Sequence, residues 1–152
     1  MKHLLTATIV ATSLTAFADV PPPIDPRPLP TTPIVRRGAE LPTYTIAQGK
    51  GTATIYYDAA VGSPDAAMTL LVLQPGAAVP AHTHPGSVEM LYVLEGEARM
   101  EVAGESFTLH AGDAARIPMD VLHRAEVVGD RALRAVQIYT PAGPEQRFKS
   151  KP

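Results

Sequence analysis

Residues 91–113 read LYVLEGEARMEVAGESFTLHAGD, and their pattern indicates the fold class. Three short runs rich in apolar and β-branched residues are separated by the turns Glu95-Gly96, Ala103-Gly104 and Ala111-Gly112. Each turn contains a glycine, which adopts tight-turn backbone conformations without a steric cost. The stretch therefore predicts a meander of antiparallel strands.

The same rhythm continues on both sides of this meander. Short runs of Val, Ile, Leu, Thr and Tyr are punctuated by Gly, Pro and Asp, and no segment has an apolar period of 3.6 residues over helical length. This pattern is typical of an all-β sandwich or barrel. The candidate strands are residues 44–47, 52–57, 67–73, 79–83, 88–95, 97–103, 105–110, 113–117, 121–128 and 132–139.

Length and charge limit the function classes. The chain has 152 residues, which is room for one ordinary domain, and 45% hydrophobic with 18% charged residues is a globular composition. Its 13 Lys and Arg residues are scattered, and the net charge is -2. Because nucleic-acid binding requires clustered cations to neutralise phosphates, we expect no nucleic-acid partner.

The first 18 residues have the pattern of a signal peptide. Lys2 provides a basic start, Leu4 to Leu14 form a short apolar stretch, and Ala16-Phe17-Ala18 is a cleavage signal before Asp19. The stretch is too short to remain as a membrane span, so we expect export to the periplasm or the medium without stable membrane insertion after cleavage. The alternative is a buried N-terminal helix. The chain has no cysteine, which excludes a disulfide framework.

Residues 19–41 are predicted to form a proline-rich linker. Residues 20–33, VPPPIDPRPLPTTP, place seven prolines in fourteen positions, which favours an extended spacer. The alternative is a docking peptide for a proline-reading partner. The barrel domain then spans residues 42–140, and the polar C-terminal tail, residues 141–152, is expected to fray or pack loosely.

Four histidines follow the signal peptide, and three of them have the spacing of a metal site together with one glutamate. His82 and His84 lie two apart on a probable strand, so both imidazoles face the same way. Glu89 begins the next strand after a short turn, and His123 arrives from a later strand. Three imidazole nitrogens and one carboxylate oxygen suit Zn, Cu, Mn, Fe or Ni and leave coordination positions open. The sequence predicts one divalent transition-metal ion per chain. The alternative is a metal-free barrel whose histidines bond to backbone carbonyls.

The spacing around these residues resembles the cupin superfamily. The first cupin motif, G-x5-H-x-H-x4-E-x6-G, is met from Gly76 to Gly96 through His82, His84 and Glu89. The second motif, G-x5-P-x-G-x2-H-x3-N, is met by three residues and departs at two. The matching residues are Gly112, Pro118 and His123, and the departures are Asp120 for glycine and Val127 for asparagine.

This resemblance implies a single cupin-type jelly-roll barrel, a double-stranded β-helix, that holds its metal through His82, His84, Glu89 and His123. It implies oxygenase, isomerase or lyase chemistry on a small-molecule ligand or substrate, with Glu89 as a catalytic ligand that accepts a proton. The alternative is a non-catalytic metal- or ligand-binding module outside the cytoplasm. The resemblance also implies a homodimer through the strands around Tyr44 to Tyr57.

Strand alternation predicts which side chains line the interior. Leu91 and Val93 are expected to point inward with Glu89, whereas Met90, Tyr92 and Leu94 point outward. Val121, Ala125 and Val127 are expected inside with His123, and Gln137 or Tyr139 is expected to add one polar group. No inward Lys, Arg or second carboxylate is predicted, which favours a neutral or weakly polar ligand over a sugar phosphate. His110 is interpreted as a surface residue.

Overall fold

The structure, a computed structural model, describes residues 34–149. The proposed signal peptide and most of the proline-rich linker lie outside this range. Within it, strands alternate buried and exposed side chains, as the sequence predicts for a barrel with an apolar interior. The strands are β1 (Thr43–Ile46), β2 (Gly51–Tyr57), β3 (Ala67–Leu73), β4 (Ala78–His82), β5 (Val88–Glu95), β6 (Glu97–Val102), β7 (Glu105–His110), β8 (Ala114–Ile117), β9 (His123–Val128) and β10 (Leu133–Thr140).

Two antiparallel sheets form a jelly roll, which confirms the predicted all-β fold. One sheet has the strand order β1-β2-β3-β10-β5-β8, and the other has the order β4-β9-β6-β7. Consecutive strands β4 and β5 lie in different sheets, and so do β7 and β8. The chain therefore crosses repeatedly between the sheets, and their facing sides enclose an apolar core that includes Leu73, Val93 and Ile117.

The turns use left-handed backbone conformations, at Ala103 despite the steric cost of its Cβ. Ala103 and Gly104 both have positive φ, 53° and 85°, and join β6 to β7 as a two-residue hairpin. Asp120 also has a positive φ of 64°, so the aspartate that replaces the usual motif glycine takes the left-handed conformation.

Most predicted strands differ from the observed strands by one or two residues at an end, and two of these differences affect the site. β4 ends at His82, so His84 lies beyond this strand and not, as was expected, on it with His82. Its carbonyl accepts hydrogen bonds from the N–H groups of Ser87 and Asp120, at 3.3 Å and 3.2 Å, and this turn replaces strand pairing. β9 begins at His123 rather than residue 121, because the left-handed Asp120 turns the chain immediately before it.

The C-terminal segment, residues 141–149, packs on the barrel, so the expectation that it frays or packs loosely was wrong. Pro144–Lys149 forms a short 3-10 helix in which Glu145 and Phe148 are buried. Phe148 joins a second apolar cluster with Ile55, Leu71 and Tyr139. Burial of one aromatic side chain in this cluster fixes the segment against the barrel. Among residues 34–149, none of the helices has the length and apolar character that a membrane crossing requires.

Candidate metal centre

Strand pairing brings the predicted ligands together from both sheets. His82 ends β4 and lies opposite His123, the first residue of β9, in the four-stranded sheet. Glu89 lies on β5 of the six-stranded sheet, opposite Tyr139 of β10. His84 reaches the same point from the turn after β4. One ligand atom from each of these four side chains lies within 4.8 Å of the others, so together they form a group that could hold a metal ion.

Backbone carbonyls set the protonation of two of the imidazoles. Nδ1 of His82 lies 2.8 Å from the Pro80 carbonyl, and Nδ1 of His123 lies 2.9 Å from the Val121 carbonyl. A carbonyl oxygen can only accept, so each Nδ1 carries a hydrogen, and Nε2 of the neutral His82 ring presents its lone pair to the centre. Among the described residues, Nε2 of His82 is buried without a hydrogen-bond partner. A metal ion would satisfy this nitrogen.

Glu89 is the carboxylate on which the other side chains converge. Its Oε2 lies 2.9 Å from Nε2 of His84 and 3.2 Å from Nε2 of His123. Its Oε1 accepts a hydrogen bond of 2.6 Å from Nε2 of Gln137. The Gln137 amide is oriented in turn by the Thr69 hydroxyl, which donates to its Oε1 at 3.2 Å. Of the two residues that were expected to supply one interior polar group, Gln137 or Tyr139, Gln137 lines the cavity.

The electrostatics of the cluster favour the metal-binding forms of Glu89 and His82. Burial would raise the pKa of Glu89, but the hydrogen bonds with His123 and His84 outweigh it and lower that pKa to about 2. Burial, reinforced by the positive charge of Arg147, lowers the pKa of His82 to about 4 despite its hydrogen bond to Pro80. Burial lowers the pKa of His123 as well, but the contact with Glu89 reverses this effect and the pKa is raised. At neutral pH, Glu89 is ionised and His82 is neutral.

The centre opens into an apolar cavity of about 300 Å³. Leu91 and Ala125 line it as predicted, while Val93 and Val127 are buried in the adjoining core and Val121 is partly buried beside that core. Met90, Tyr92 and Leu94 are 39%, 47% and 39% exposed on the outer face, also as predicted. The complete lining consists of Ile46, Ala47, Leu71, Leu73, Ala78, Val79, Pro80, His82, Glu89, Leu91, Ala98, Met100, His123, Ala125, Leu133, Gln137, Arg147 and Phe148.

The prediction that no cation faces the interior was wrong. Arg147 lines the cavity, and its Nη2 donates to the buried Tyr139 hydroxyl at 3.2 Å. It was missed because it comes from the C-terminal segment, which strand alternation does not describe. Phe148, a lone aromatic residue in a polar tail, was the signal that this segment packs against the barrel. His110 lies apart from the centre with its side chain 61% exposed, as expected.

Comparison with known families agrees with this architecture. The family described as "Cupin domain" matches residues 69–139, the stretch from β3 to β10 that contains all four candidate ligands. Residues 69–139 of the chain form a cupin domain. A solved structure of KdgF from Halomonas sp. superposes on this cupin with a TM-score of 0.66 and 21% identity, over 76% of this chain and 99% of that one. At this identity the likeness supports the fold alone.

Two curated relatives are more similar in sequence. The polyketide synthase CurC of Streptomyces cyaneus is 35% identical over 98 residues, which cover 64% of this cupin and 64% of CurC. The oxalate decarboxylase OxdC of Bacillus subtilis is 33% identical over 78 residues, which cover 48% of this cupin and 20% of OxdC. A solved structure of the B. subtilis oxalate decarboxylase, a protein with Mn(II) centres, superposes with a TM-score of 0.55 and 31% identity, over 62% of this cupin and 26% of that chain. This cupin spans less than two thirds of CurC and about a fifth of OxdC.

Proposed function

We propose that this cupin is an exported protein that holds one divalent transition-metal ion through His82, His84, Glu89 and His123, and that it binds or transforms a small molecule there. The observation that carries the proposal is the convergence of three imidazoles and one carboxylate, with the buried Nε2 of His82 left without a partner among the described residues. Leaving a buried polar atom unpaired costs about 1–3 kcal/mol, and a bound metal removes this cost.

The donor set fits the metals that the sequence predicts. Nitrogen and oxygen donors suit Zn, Cu, Mn, Fe and Ni, and four protein ligands leave positions open in five- or six-coordinate ions. The Mn(II) centres of the B. subtilis oxalate decarboxylase support Mn as one candidate. Folding after export favours Zn and Cu instead, because these bind such donors more tightly. A bound metal of this kind supplies Lewis acidity or, for Fe, Mn or Cu, oxygen chemistry.

Glu89 is the residue that we expect to move a proton. Gln137 holds its Oε1, while Oε2 faces the histidines and the cavity. The ordered amide keeps the carboxylate in place whether Oε2 binds metal or accepts a proton from a bound molecule. The apolar wall around the centre excludes water and strengthens these contacts.

A second candidate function is a non-catalytic module that sequesters metal or binds a ligand. One observation favours it. Among the described residues, Glu89 is the only carboxylate lining the cavity, and because it is already a candidate metal ligand, no second carboxylate lines the cavity to act as a separate acid or base. The two functions differ in metal accessibility. Titration with azide, followed by the metal's absorption spectrum, is expected to show an open position in an enzyme, whereas an inert spectrum would favour the binding module.

Export is part of the proposal and rests on the signal pattern of residues 1–18. Expression of the full chain in a bacterial host followed by fractionation is expected to give a product outside the cytoplasm whose N-terminal residue is Asp19. An uncleaved product retained in the cytoplasm would contradict export without affecting the metal proposal.

The metal proposal is tested by elemental analysis of the purified protein. We expect about one equivalent of a single transition metal per chain. A His82→Ala, His84→Ala double variant is expected to lose it, whereas His110→Ala, which removes an exposed histidine, retains it. Equal metal content in the wild type and the double variant, or no metal in any sample after incubation with Mn, Fe, Ni, Cu and Zn salts, would overturn the proposal.

A further inference from the structure

Arg147 brings a positive charge to the apolar cavity from outside the barrel strands. It lies in the short helix Pro144–Lys149, and its guanidinium carbon is 5.0 Å from the centre of the Phe148 ring. One of its N–H groups donates to the Tyr139 hydroxyl. A guanidinium has five N–H donors in a planar fork, so this single bond leaves donors for a ligand in the cavity.

The segment that carries Arg147 is held on both sides of it. Asp58 accepts hydrogen bonds from Gln146 at 3.0 Å and from Lys149 at 2.7 Å. Phe148 is 8% exposed and packs in the cluster beneath the segment. Neighbouring residues therefore fix the backbone around Arg147, and the arginine is not required for this anchoring. Arg147 itself is exposed, so these contacts hold it where it lines the cavity while part of its side chain stays open to solvent.

The cavity has more positive than negative charge once a metal is bound. Among the described residues, Arg147 is the only Lys or Arg that lines it, and Glu89 is the only carboxylate that does so. Glu145 is buried in the same segment, but it accepts from the Gly143 N–H and from Gln146, and it does not line the cavity. A divalent ion and Arg147 together outweigh the single charge of Glu89. In apolar surroundings such an excess favours a ligand that carries a negative group.

We propose that Arg147 determines ligand specificity, selecting a small, predominantly apolar molecule with one acidic group. The acidic group accepts hydrogen bonds from Arg147, and the apolar body lies against Leu71, Leu73, Leu91 and Met100. This inference rests on the proposed function, since it assigns a ligand class to the same metal-containing cavity. It also revises the expectation of a neutral ligand, because that expectation assumed that no cation faced the interior.

The apolar wall favours ligands with an apolar body over small, fully polar anions. A dianion such as oxalate has no apolar part to cover the aliphatic side chains, so only the metal and Arg147 would contribute to its binding. A monoanion with an aromatic or aliphatic body places its charged group against Arg147 and its apolar body against the apolar wall. A volume of about 300 Å³ admits a molecule of about ten non-hydrogen atoms.

Paired probes that differ only in charge test the proposal. Phenylacetate and its neutral amide, phenylacetamide, have nearly the same shape, and their binding to metal-loaded protein is measured by titration calorimetry. We expect the wild type to prefer phenylacetate by about tenfold or more, because an ionic hydrogen bond replaces a neutral one. Arg147→Gln is expected to reduce this preference to about threefold or less, and Arg147→Lys to retain most of it.

Two controls separate Arg147 from the metal and from the fold. Arg131→Gln changes an exposed arginine in the turn between β9 and β10 and is expected to match the wild type. Elemental analysis and the melting temperature are recorded for every sample. A preference that survives in metal-loaded Arg147→Gln would show that the metal alone selects the acid, and it would overturn the proposal. Failure of the wild type to bind phenylacetate at millimolar concentration would also overturn it. A wild type without metal would instead contradict the proposed function.

Discussion

Gln137 links the candidate metal centre to the interior of the six-stranded sheet. Replacement by leucine would keep its approximate volume but leave Oε1 of Glu89, 3% exposed, without its hydrogen-bond donor. A hydrogen bond to a buried charge is worth about 1.5–3 kcal/mol, so we expect Gln137→Leu to lower the free energy of unfolding of the metal-free protein by about 2 kcal/mol. Urea denaturation in the presence of a chelator measures this change.

The matched control for this prediction is Gln74→Leu, which alters an exposed glutamine between β3 and β4. Surface substitutions of this kind usually change the free energy of unfolding by less than about 0.5 kcal/mol. Equal losses in the two variants would show that the Gln137 hydrogen bond has no special stabilising role.

At the residue scale, three of the four candidate ligands could be predicted because their chemistry is rare and their spacing is local, whereas His123, 34 residues after Glu89, was identified through the second motif. Two histidines and a glutamate within eight positions, 82–89, restrict the geometry before any tertiary contact is considered. The sequence did not identify Arg147, because arginine is common on surfaces. Its place in the cavity depends on the bonds that its neighbours Gln146 and Lys149 make to Asp58, which lies 88 and 91 residues away from them in sequence.

At the scale of elements, the sequence predicted which segments form strands better than it predicted where each strand begins and ends. Alternation and glycine turns located the strands, but the end of β4 depends on hydrogen bonds to the His84 carbonyl from across a turn. The short helix Pro144–Lys149 has too few residues to show a helical repeat of apolar residues, so the sequence pattern does not predict it. Its stability comes from tertiary contacts, and we expect Asp58 to be the most important of these.

Burial would raise the pKa of Asp58, but hydrogen bonds from Lys149 and Gln146, with the charge of Lys149, outweigh burial and lower it. A lowered folded-state pKa means that this stabilisation is present above the ordinary pKa near 3.8 and is lost as the pH falls through the folded value. We expect Asp58→Asn to cost about 1 kcal/mol near neutral pH, since Lys149 is partly exposed, and to reduce the loss of stability in acid.

Limited trypsin digestion checks the same prediction locally. Release of the segment would expose the peptide bond after Arg147, and mass spectrometry is expected to show severalfold faster cleavage there in Asp58→Asn than in the wild type. Asp65→Asn, a change at an exposed aspartate before β3, serves as the control. Unchanged cleavage in Asp58→Asn would mean that Phe148 packing alone holds the segment.

At the scale of the whole molecule, the outer face of the six-stranded sheet is unusually apolar. Strand pairing places Leu70, Val136 and Tyr92 in one row across β3, β10 and β5. Met68, Ile138 and Met90 form the adjacent row. These residues alternate with the inward-facing Thr69, Gln137 and Leu91, so they point away from the cavity. A contiguous apolar patch of this kind marks an interaction surface.

We expect a second copy of the chain to cover this face. A two-fold axis passing through β10 would place each apolar row of one copy against the same row of the other copy. The resemblance to small cupins placed a homodimer interface at the neighbouring strands around Tyr44 to Tyr57, and that placement stays a prediction.

Tyr92→Lys puts a charge at the centre of the patch, where Tyr92 is 47% exposed in the single chain, and is expected to convert a dimer to a monomer with its fold intact. Thr108→Lys on exposed β7 of the other sheet is expected to leave the dimer unchanged. Sedimentation equilibrium at micromolar concentration measures both variants, and a wild type that is already monomeric there would contradict this use of the face.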